Sequence, residues 1–154
     1  AIYDVSKGRI MMTFFLGCYD QVTHEFCYSN ASHDPPYLIK KSDKPLTKKQ
    51  FIPLNEVNDL RLGQDKNATY SQTKFQLDPG DRIIFYTDGL SDVQNPEKVK
   101  WGDREFIKAI IEANKDYLPI DQTVKLIANK LENYRQKSAL IDDITFFICH
   151  YDKN

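Results

Sequence analysis

The segment Arg9–Tyr19 constrains the fold more than any other part of the chain, because it is apolar on both alternating faces of a predicted strand. A strand of this kind has to be covered on both sides. The polar connection Asp20–His24 and the β-rich run Glu25–Asn30 follow it and predict an antiparallel hairpin. The apolar residues of the first strand are Ile10, Met12, Phe14 and Leu16 on one face and Met11 and Phe15 on the other.

The rest of the chain predicts further strands, then two helices, and then a final strand. Asp78-Pro79-Gly80-Asp81 predicts a type II turn, with proline and glycine at its central positions. Asp103 is the predicted N-cap of the first helix. This order of elements predicts an α+β fold with a mostly antiparallel sheet. The predicted strands are Tyr37–Lys40, Phe51–Leu54, Thr69–Leu77, Arg82–Thr87 and Ile144–Tyr151, and the predicted helices are Asp103–Lys115 and Asp121–Gln136.

Length and charge limit the classes of protein to which the chain can belong. The 154 residues suffice for one soluble domain, residues 1–154, that needs no disulfide or metal merely to fold. A formal charge of −1 argues against nucleic acid or an anionic membrane as the main partner, because both depend on a basic excess. The chain has neither a membrane-length apolar run nor a signal segment, so we expect a cytoplasmic protein without membrane insertion. Cys18, Cys27 and Cys149 are predicted as buried free thiols.

Two acidic sites stand where predicted buried strands reach the surface. Asp88 directly follows the strand RIIFYT, and Asp142 with Asp143 comes directly before the strand ITFFIC. Carboxylate oxygens held at the ends of strands suit Mg²⁺ and Mn²⁺. Gly89 allows either a turn with positive φ or a close approach of the backbone to a ligand. Each acidic pattern taken alone also fits a simple turn, a cap or a loop charge, so local sequence leaves these interpretations open.

A series of motifs gives a more specific indication. The chain carries NASHDPPYLI, then LDPGDRIIFYTDGLSD, then Trp101-Gly102 at the start of a helix, and then IDDITFFIC. This series resembles the bacterial PPM-type, protein phosphatase 2C-like serine/threonine phosphatases, in the branch of stage II sporulation protein E and the sigma-factor regulatory phosphatases. That family has an Asn-Ala-Gly-His-x-Pro-Pro segment, a Pro-Gly-Asp turn leading to Tyr-Thr-Asp-Gly, and a terminal Asp-Asp-x-Thr motif. The resemblance runs from about Met12 to Tyr151.

The resemblance implies an antiparallel β-sandwich flanked by helices, with two divalent cations, Mn²⁺ or Mg²⁺, between the sheets. Such cations activate a water that attacks phosphoserine or phosphothreonine, without a covalent phosphoenzyme. Asp88 and Asp142 match metal ligands of the family, whereas Asp143 is expected to shape its loop. The candidate supporting positions of the site are Gly89, Asp92, Asp143, His33 and Asp34, and Asp92 fits a structural role equally well.

The chain departs from the family pattern in two places. Ser32 stands where the family has glycine, which is tolerable only if its backbone stays out of the left-handed region, and Asp34 adds a carboxylate. The family's first metal motif, an Asp-x-x-Gly-His-Gly-like segment, does not occur, and Asp4 lacks its glycine-rich context. We therefore expect the C-terminal portion of an N-terminally truncated phosphatase domain, with weak Mn²⁺ binding and little or no activity. Strands left uncovered would favour a homodimer.

The resemblance implies a metal-dependent protein phosphatase of a signalling system, acting on a phosphorylated protein such as an anti-sigma-factor antagonist. The alternative is a non-catalytic regulatory or binding module, a pseudophosphatase on the same fold, which the missing first motif supports. A hydrolase of another phosphoester is a third hypothesis, since carboxylate-held metal pairs are not specific for proteins.

Overall fold

The computed structural model describes residues 1–114 and 117–152. The chain divides into two compact units, of which the first comprises Ala1–Pro35 and Pro53–Pro79 and the second comprises Pro36–Ile52 and Gly80–Asn154. No helix in the described residues combines the length and the apolar character needed to cross a bilayer. The strands are β1 (Phe14–Tyr19), β2 (Glu25–Ala31), β3 (Tyr37–Ile39), β4 (Phe51–Pro53), β5 (Thr73–Gln76), β6 (Arg82–Tyr86) and β7 (Phe146–His150). The α-helices are α1 (Ile2–Ser6), α2 (Asp88–Ser91), α3 (Gly102–Ala113) and α4 (Ile120–Arg135).

The first unit is built on the antiparallel sheet β1-β2-β5. The predicted hairpin is confirmed, with Cys18 opposite Cys27 in the pairing of β1 with β2. Aromatic rings pack together on this sheet, where Tyr28 stacks on Phe15 with their ring centroids 5.2 Å apart. Tyr28 is almost completely buried, so these rings form the centre of the unit.

The prediction that Arg9–Tyr19 forms one strand covered on both faces is wrong. β1 begins only at Phe14, and Met12 forms an isolated bridge with Leu62. Phe15 faces the rings of β2, whereas the alternating residues of the other face stay open to solvent. Leu16 is 58% exposed, which leaves an apolar row on the surface of the edge strand β1. The exposed apolar residues in β1 and in residues 10–13 directly before it are Ile10, Met11, Met12, Phe14 and Leu16.

The cysteines are free, as predicted, but their predicted burial is wrong for two of them. Cys27 is partly buried, whereas Cys18 and Cys149 are exposed. Cys18 belongs to the open surface of β1. Cys149 lies on β7, where Phe146 and Ile148 pack against the core and the alternating residues face away from it. The apolar runs indicate that strands form at these cysteines, but they do not predict which face of each strand is covered.

The second unit is built on the sheet β4-β3-β6-β7, with α3 and α4 contributing to its core. β6 lies between β3 and β7 and is antiparallel to both. The predicted buried strand after the turn is therefore confirmed, and it holds the centre of the unit. The buried core residues are Ile39, Leu46, Phe51, Ile84, Tyr86, Leu90, Val93, Trp101, Phe106, Ala109, Ile110, Ala113, Ile127 and Leu131.

Both predicted helices are present, although the predicted start of the first is wrong. Trp101, not Asp103, is the N-cap of α3, and Gly102 adopts a φ of 72° where the helix begins. The predicted end of this helix at Lys115 lies outside the described residues. α4 begins and ends within one residue of its predicted limits, and its apolar stripe is buried as expected.

The turn before β6 and the base of that strand are tightly bonded. Gly80 has a φ of 96°, as the predicted type II turn requires. Arg82 is almost completely buried, and its guanidinium donates to Oδ1 of Asn114 at 2.6 Å and to the carbonyl of Leu118 at 2.8 Å. Burial lowers the pKa of Arg82. These bonds fix the start of β6, and Asp88 follows the other end of the same strand.

Candidate active site

Asp88 lies where the buried strand β6 gives way to the short helix α2. Thr87 has extended backbone, with a φ of −104° and a ψ of 157°, and the helix begins at Asp88. Leu90 is completely buried and anchors this turn to the core. The carboxylate of Asp88 is exposed, and its Oδ1 accepts the N–H of Gly89 at 3.0 Å. The carboxylate of Asp88 therefore lies at the surface, on a turn that Leu90 anchors in the core.

Gly89 packs against the backbone of the loop that contains Asp142 and Asp143. A Cβ atom placed on Gly89 would lie 3.0 Å from the carbonyl carbon of Asp143 and 3.5 Å from Cβ of Asp142. Gly89 does not have a positive φ, so glycine serves here for close approach and not for a left-handed turn. The contact brings the segments of Asp88 and Asp142, which are distant in sequence, side by side.

Thr87 and Thr145 extend the pairing of β6 with β7 up to the acidic residues. The N–H of Thr87 donates to the carbonyl of Thr145 at 3.0 Å, and Oγ1 of Thr87 accepts the N–H of Thr145 at 3.1 Å. The Thr87 hydroxyl also lies 3.4 Å from the carbonyl oxygen of Asp143. Sequence reasoning missed both threonines as site residues. The available signal was that each stands in an acidic motif at the end of its strand.

Asp142 and Asp143 use different groups in the site. Oδ1 of Asp142 accepts the N–H of Asp143 at 2.7 Å, and both carboxylates are exposed. Asp143 contacts Gly89 and Thr87 through its main-chain carbonyl. The structure thus places the loop of Asp142 beside the turn that carries Asp88 and uses the backbone of Asp143 to join the two.

Asp92 lies one helical turn beyond Asp88, and its N–H donates to the Asp88 carbonyl at 3.0 Å. Residues four apart on a helix lie on the same face, so Asp92 shares the face of Asp88. Its Oδ1 accepts a hydrogen bond from Nζ of Lys100 at 2.7 Å. Lys100 was not predicted as a site residue, because no local pattern connects a lysine in the loop after α2 with the acidic motif.

His33 and Asp34 belong to the first unit, whereas Asp88, Asp92, Asp142 and Asp143 belong to the second. Buried Asn30 accepts the N–H of His33 on its Oδ1 at 2.8 Å and donates from its Nδ2 to the His33 carbonyl at 2.9 Å. Nδ1 of His33 donates to the carbonyl of Asp34 at 2.8 Å. The loop is therefore shaped by Asn30, a residue that sequence reasoning did not single out.

Ser32, which precedes His33, has a φ of 57°. The expectation that this residue avoids the left-handed region is therefore wrong. The Ser32 hydroxyl donates to the carbonyl of Asp59 at 2.8 Å, and the Ser32 N–H donates to Oδ1 of Asn58 at 3.2 Å. These two bonds hold serine in a conformation that normally favours glycine.

The acidic residues of the second unit fit a hard divalent cation in their chemistry. Carboxylate oxygens are the donors that Mg²⁺ prefers, and Mg²⁺ is usually bound through one or two carboxylates while it keeps several waters. Asp88 and Asp142 could supply these two carboxylates. Within residues 1–114 and 117–152, no group of three or more histidine, cysteine or acidic side chains is arranged to enclose an ion. The described residues therefore do not by themselves enclose an ion.

The sequence matches a family model described as Stage II sporulation protein E (SpoIIE) over residues 1–152. The chain belongs to the SpoIIE family. This confirms the resemblance to the PPM-type phosphatases of that branch.

Two curated relatives extend over different parts of this SpoIIE-family chain. Protein IcfG of Synechocystis sp. is 27% identical over 138 residues, which are 90% of this chain and 20% of IcfG. Phosphoserine phosphatase RsbU of Bacillus subtilis is 29% identical over 85 residues, which are 55% of this chain and 24% of RsbU. The chain therefore spans less than a quarter of the length of either relative.

The fold also matches a solved structure, the SiaA-PP2C domain of Pseudomonas aeruginosa. The TM-score is 0.69 at 18% sequence identity, and the match covers 90% of this chain and 51% of the other. The α+β, PP2C-like fold class predicted for this SpoIIE-family chain is confirmed by that likeness.

Proposed function

We propose that the chain is part of a divalent-metal-dependent phosphatase that hydrolyses phosphoserine or phosphothreonine on a signalling protein. The packing of Gly89 against the Asp143 carbonyl carries this proposal, because it places Asp88 and Asp142 at the same end of the β6–β7 pair. Membership of the SpoIIE family and the name of the relative RsbU support the same chemistry.

Asp88 and Asp142 are the proposed ligands of Mn²⁺ or Mg²⁺. A bound divalent cation lowers the pKa of a coordinated water and neutralises charge on phosphoryl oxygens. Thr87 and Gly89 fix the two acidic loops against each other, so the spacing of the carboxylates is set before substrate arrives. Each proposed ligand has one carboxylate oxygen oriented by a main-chain N–H of the next residue.

A phosphorylated protein, such as an anti-sigma-factor antagonist, is the proposed substrate, and the cytoplasm is the proposed location. We further propose that this chain by itself binds Mn²⁺ weakly and turns over slowly. The reason is that Asp88 and Asp142 supply only part of the donors that a two-cation site requires.

The test is phosphopeptide hydrolysis by the natural protein that carries this chain and by the chain itself, each with Mn²⁺, with Mg²⁺ and with a chelator. We expect turnover that requires the metal, and a lower rate for the chain alone. Asp88→Asn and Asp142→Asn in the natural protein should each lower kcat/KM by more than the roughly 10–100-fold typical of residues that only orient a ligand.

Asp121→Asn is the matched control, because Asp121 is exposed at the start of α4. Two residues further on, Thr123 contacts Arg82, which lies at the opposite end of β6 from Asp88. Asp121→Asn should retain the parent rate. Full activity in both Asp88→Asn and Asp142→Asn would refute the assignment of the site. A rate for the chain alone equal to that of the natural protein would refute the proposed impairment.

A non-catalytic module on the same fold is the competing proposal, favoured by the lack of a three-ligand group in the described residues. It predicts that the natural protein binds a phosphorylated partner and releases no phosphate with either metal. A comparison of phosphopeptide with a small aromatic phosphoester separates a protein phosphatase from a hydrolase of other phosphoesters.

A further inference from the structure

We propose that Cys18 and Cys27 form a redox-active dithiol, a modification site at which a low-molecular-weight disulfide such as oxidised glutathione joins the two thiols in a reversible cross-strand disulfide. Both cysteines belong to the first unit, whereas the proposed metal ligands Asp88 and Asp142 belong to the second. The reaction uses neither a metal nor a phosphorylated substrate, so it is independent of the proposed phosphatase activity.

The register of the β1–β2 pair places the two cysteines directly opposite each other. The N–H of Asp20 donates to the carbonyl of Glu25 at 2.9 Å, so these two residues form a hydrogen-bonded pair of the ladder. Hydrogen-bonded and non-hydrogen-bonded pairs alternate along an antiparallel ladder, so Cys18 and Cys27, two places further on, are again a hydrogen-bonded pair. The Cα atoms of such a pair are about 5.5 Å apart, within the range of about 4.4–6.8 Å that a disulfide spans.

Both thiols lie on the open face of the sheet. Directly opposite residues project to the same face, and the residues next to them along each strand project to the other. That other face holds the packed rings of Phe26 and Tyr28, and a Cβ atom on Gly17 would collide with the Phe26 ring. Cys18 is exposed and Cys27 is partly buried. An oxidant in solution can therefore reach Cys18, and Cys27 stands beside it.

The edge position of β1 makes closure of the disulfide possible and keeps it reversible. The Cβ atoms of facing residues lie about 4.5–5.5 Å apart, whereas a disulfide requires about 3.5–4.5 Å. β1 must therefore move toward β2, and as an edge strand of the sheet it can do so without breaking a second ladder. Strained and exposed disulfides are readily reduced. We therefore expect the dithiol under reducing conditions and the disulfide when the oxidant accumulates.

The reaction consists of two thiol–disulfide exchanges. The Cys18 thiolate attacks one sulfur of oxidised glutathione, the S–S bond of the oxidant breaks, and one glutathione thiolate leaves. The Cys27 thiolate then attacks the Cys18 sulfur of the mixed disulfide and expels the second glutathione thiolate. Two electrons pass from the cysteine pair to the oxidant, and the two protons of the cysteine thiols end on two molecules of reduced glutathione.

The experiment equilibrates the whole chain, and the natural protein that carries it, with mixtures of reduced and oxidised glutathione. Acid quenching and alkylation of the remaining thiols fix the products for mass spectrometry. No lysine or arginine stands between Cys18 and Cys27, so trypsin leaves both on one peptide. When the two are cross-linked, this peptide carries neither the alkyl group nor glutathione. Chymotrypsin can cut after Tyr19, between the two cysteines, and the disulfide then holds the two fragments together.

Two variants test the contribution of the register. Cys27→Ser removes the second thiol, so the reaction should stop at the mixed disulfide on Cys18. The double variant Cys27→Ser with Ser29→Cys keeps a second thiol on the same face but moves it to the position opposite Leu16. That thiol is then diagonal to Cys18, at about 7–8 Å, which is beyond the reach of a disulfide.

Cys149→Ser is the matched control, because Cys149 lies opposite Ile83 of β6 and not opposite a cysteine. We expect a Cys18–Cys27 cross-link in wild type and in this control, and its reversal by dithiothreitol. The ratio of cross-link to glutathione adduct should be at least about tenfold lower in the diagonal double variant than in wild type. Glutathione adducts alone in wild type, no reaction at Cys18, a cross-link to Cys149, or an equal ratio in the double variant would each overturn the proposal.

Discussion

Gly89 approaches the carbonyl group of Asp143 so closely that no side chain fits between their backbones. The two residues belong to different elements, α2 and the loop before β7. Their contact sets how near the carboxylates of Asp88 and Asp142 can come. Replacing a glycine that has a helical conformation by alanine ordinarily increases stability. At Gly89, packing against Asp143 opposes this gain, so a substitution here shows whether helix propensity or packing dominates.

Gly89→Ala should therefore lower the free energy of unfolding by about 1–3 kcal/mol, the usual effect of forcing an extra methyl group into a packed site. It should also weaken Mn²⁺ binding, because the loops of Asp88 and Asp142 would move apart. Denaturant unfolding and metal titration measure the two effects. Lys108→Ala, at an exposed position of α3, is the control and should leave Mn²⁺ affinity unchanged. Wild-type stability and affinity in Gly89→Ala would contradict the assigned role of the contact.

Ser32 gives a prediction about backbone strain. Because its φ is 57°, alanine at this position keeps the strain and loses the hydroxyl bond to Asp59, whereas glycine loses only the bond. Ser32→Gly should therefore be more stable than Ser32→Ala by about 1 kcal/mol. Ser29, inside β2, should show the opposite order, with alanine the more stable variant. Thermal and denaturant unfolding of the four variants check this reversal, and the same order at both positions would refute it.

His150 gives a prediction about pH. Its pKa is lowered first by burial and then by the positive charge of Arg82. Below its ordinary pKa of 6.5, the unfolded chain therefore binds this proton more readily than the folded chain does. The free energy of unfolding should fall as pH decreases through this value, until the lower pKa of the folded state is passed. His150→Gln should lose less stability than wild type between pH 7.5 and pH 5, measured by urea unfolding. Parallel losses in the two proteins would show that His150 does not contribute.

The exposed apolar row of β1 underlies the expectation of a homodimer. Edge strands with unpaired backbone groups and apolar side chains pair readily with a second chain. Leu16→Lys should shift the chain toward monomer, as measured by sedimentation over a range of concentrations. Val22→Lys is the control, because Val22 is exposed in the turn after β1 and lies outside the strand. A wild-type chain that stays monomeric at all concentrations would refute the expectation.

The sequence was sufficient to predict the order of the strands and the two long helices. It also predicted which strand ends have acidic residues beside them. Asp88 and Asp142 could be selected because each adjoins a compact apolar run, and such runs identify buried strands. The same reasoning failed for Arg9–Tyr19 and for Cys18. Apolar composition predicts that a strand forms, whereas the covering of each face depends on which other segments pack against it.

Several contacts in the candidate site were not predictable from local patterns. Thr87 meets Thr145, and Lys100 meets Asp92, through pairings set by the fold of the second unit. For Gly89, local sequence left open two uses of glycine, and packing against Asp143 selected close approach. Ser32 was predicted to avoid positive φ. This prediction failed because Asp59, distant in sequence, supplies the bond that holds Ser32 in that conformation.

The pairing of β6 with β7 also determines when the acidic pair can form. A growing polypeptide leaves the ribosome from its N-terminus, so Asp88 is exposed to solvent well before Asp142 has been synthesised. The helices α2, α3 and α4 lie between the two strands in sequence. Closure of the long loop that contains them must precede the meeting of Thr87 with Thr145, and such non-local closure is a slow step. A nascent chain therefore holds only half of the acidic pair, and the pair is assembled after the helical layer has been made.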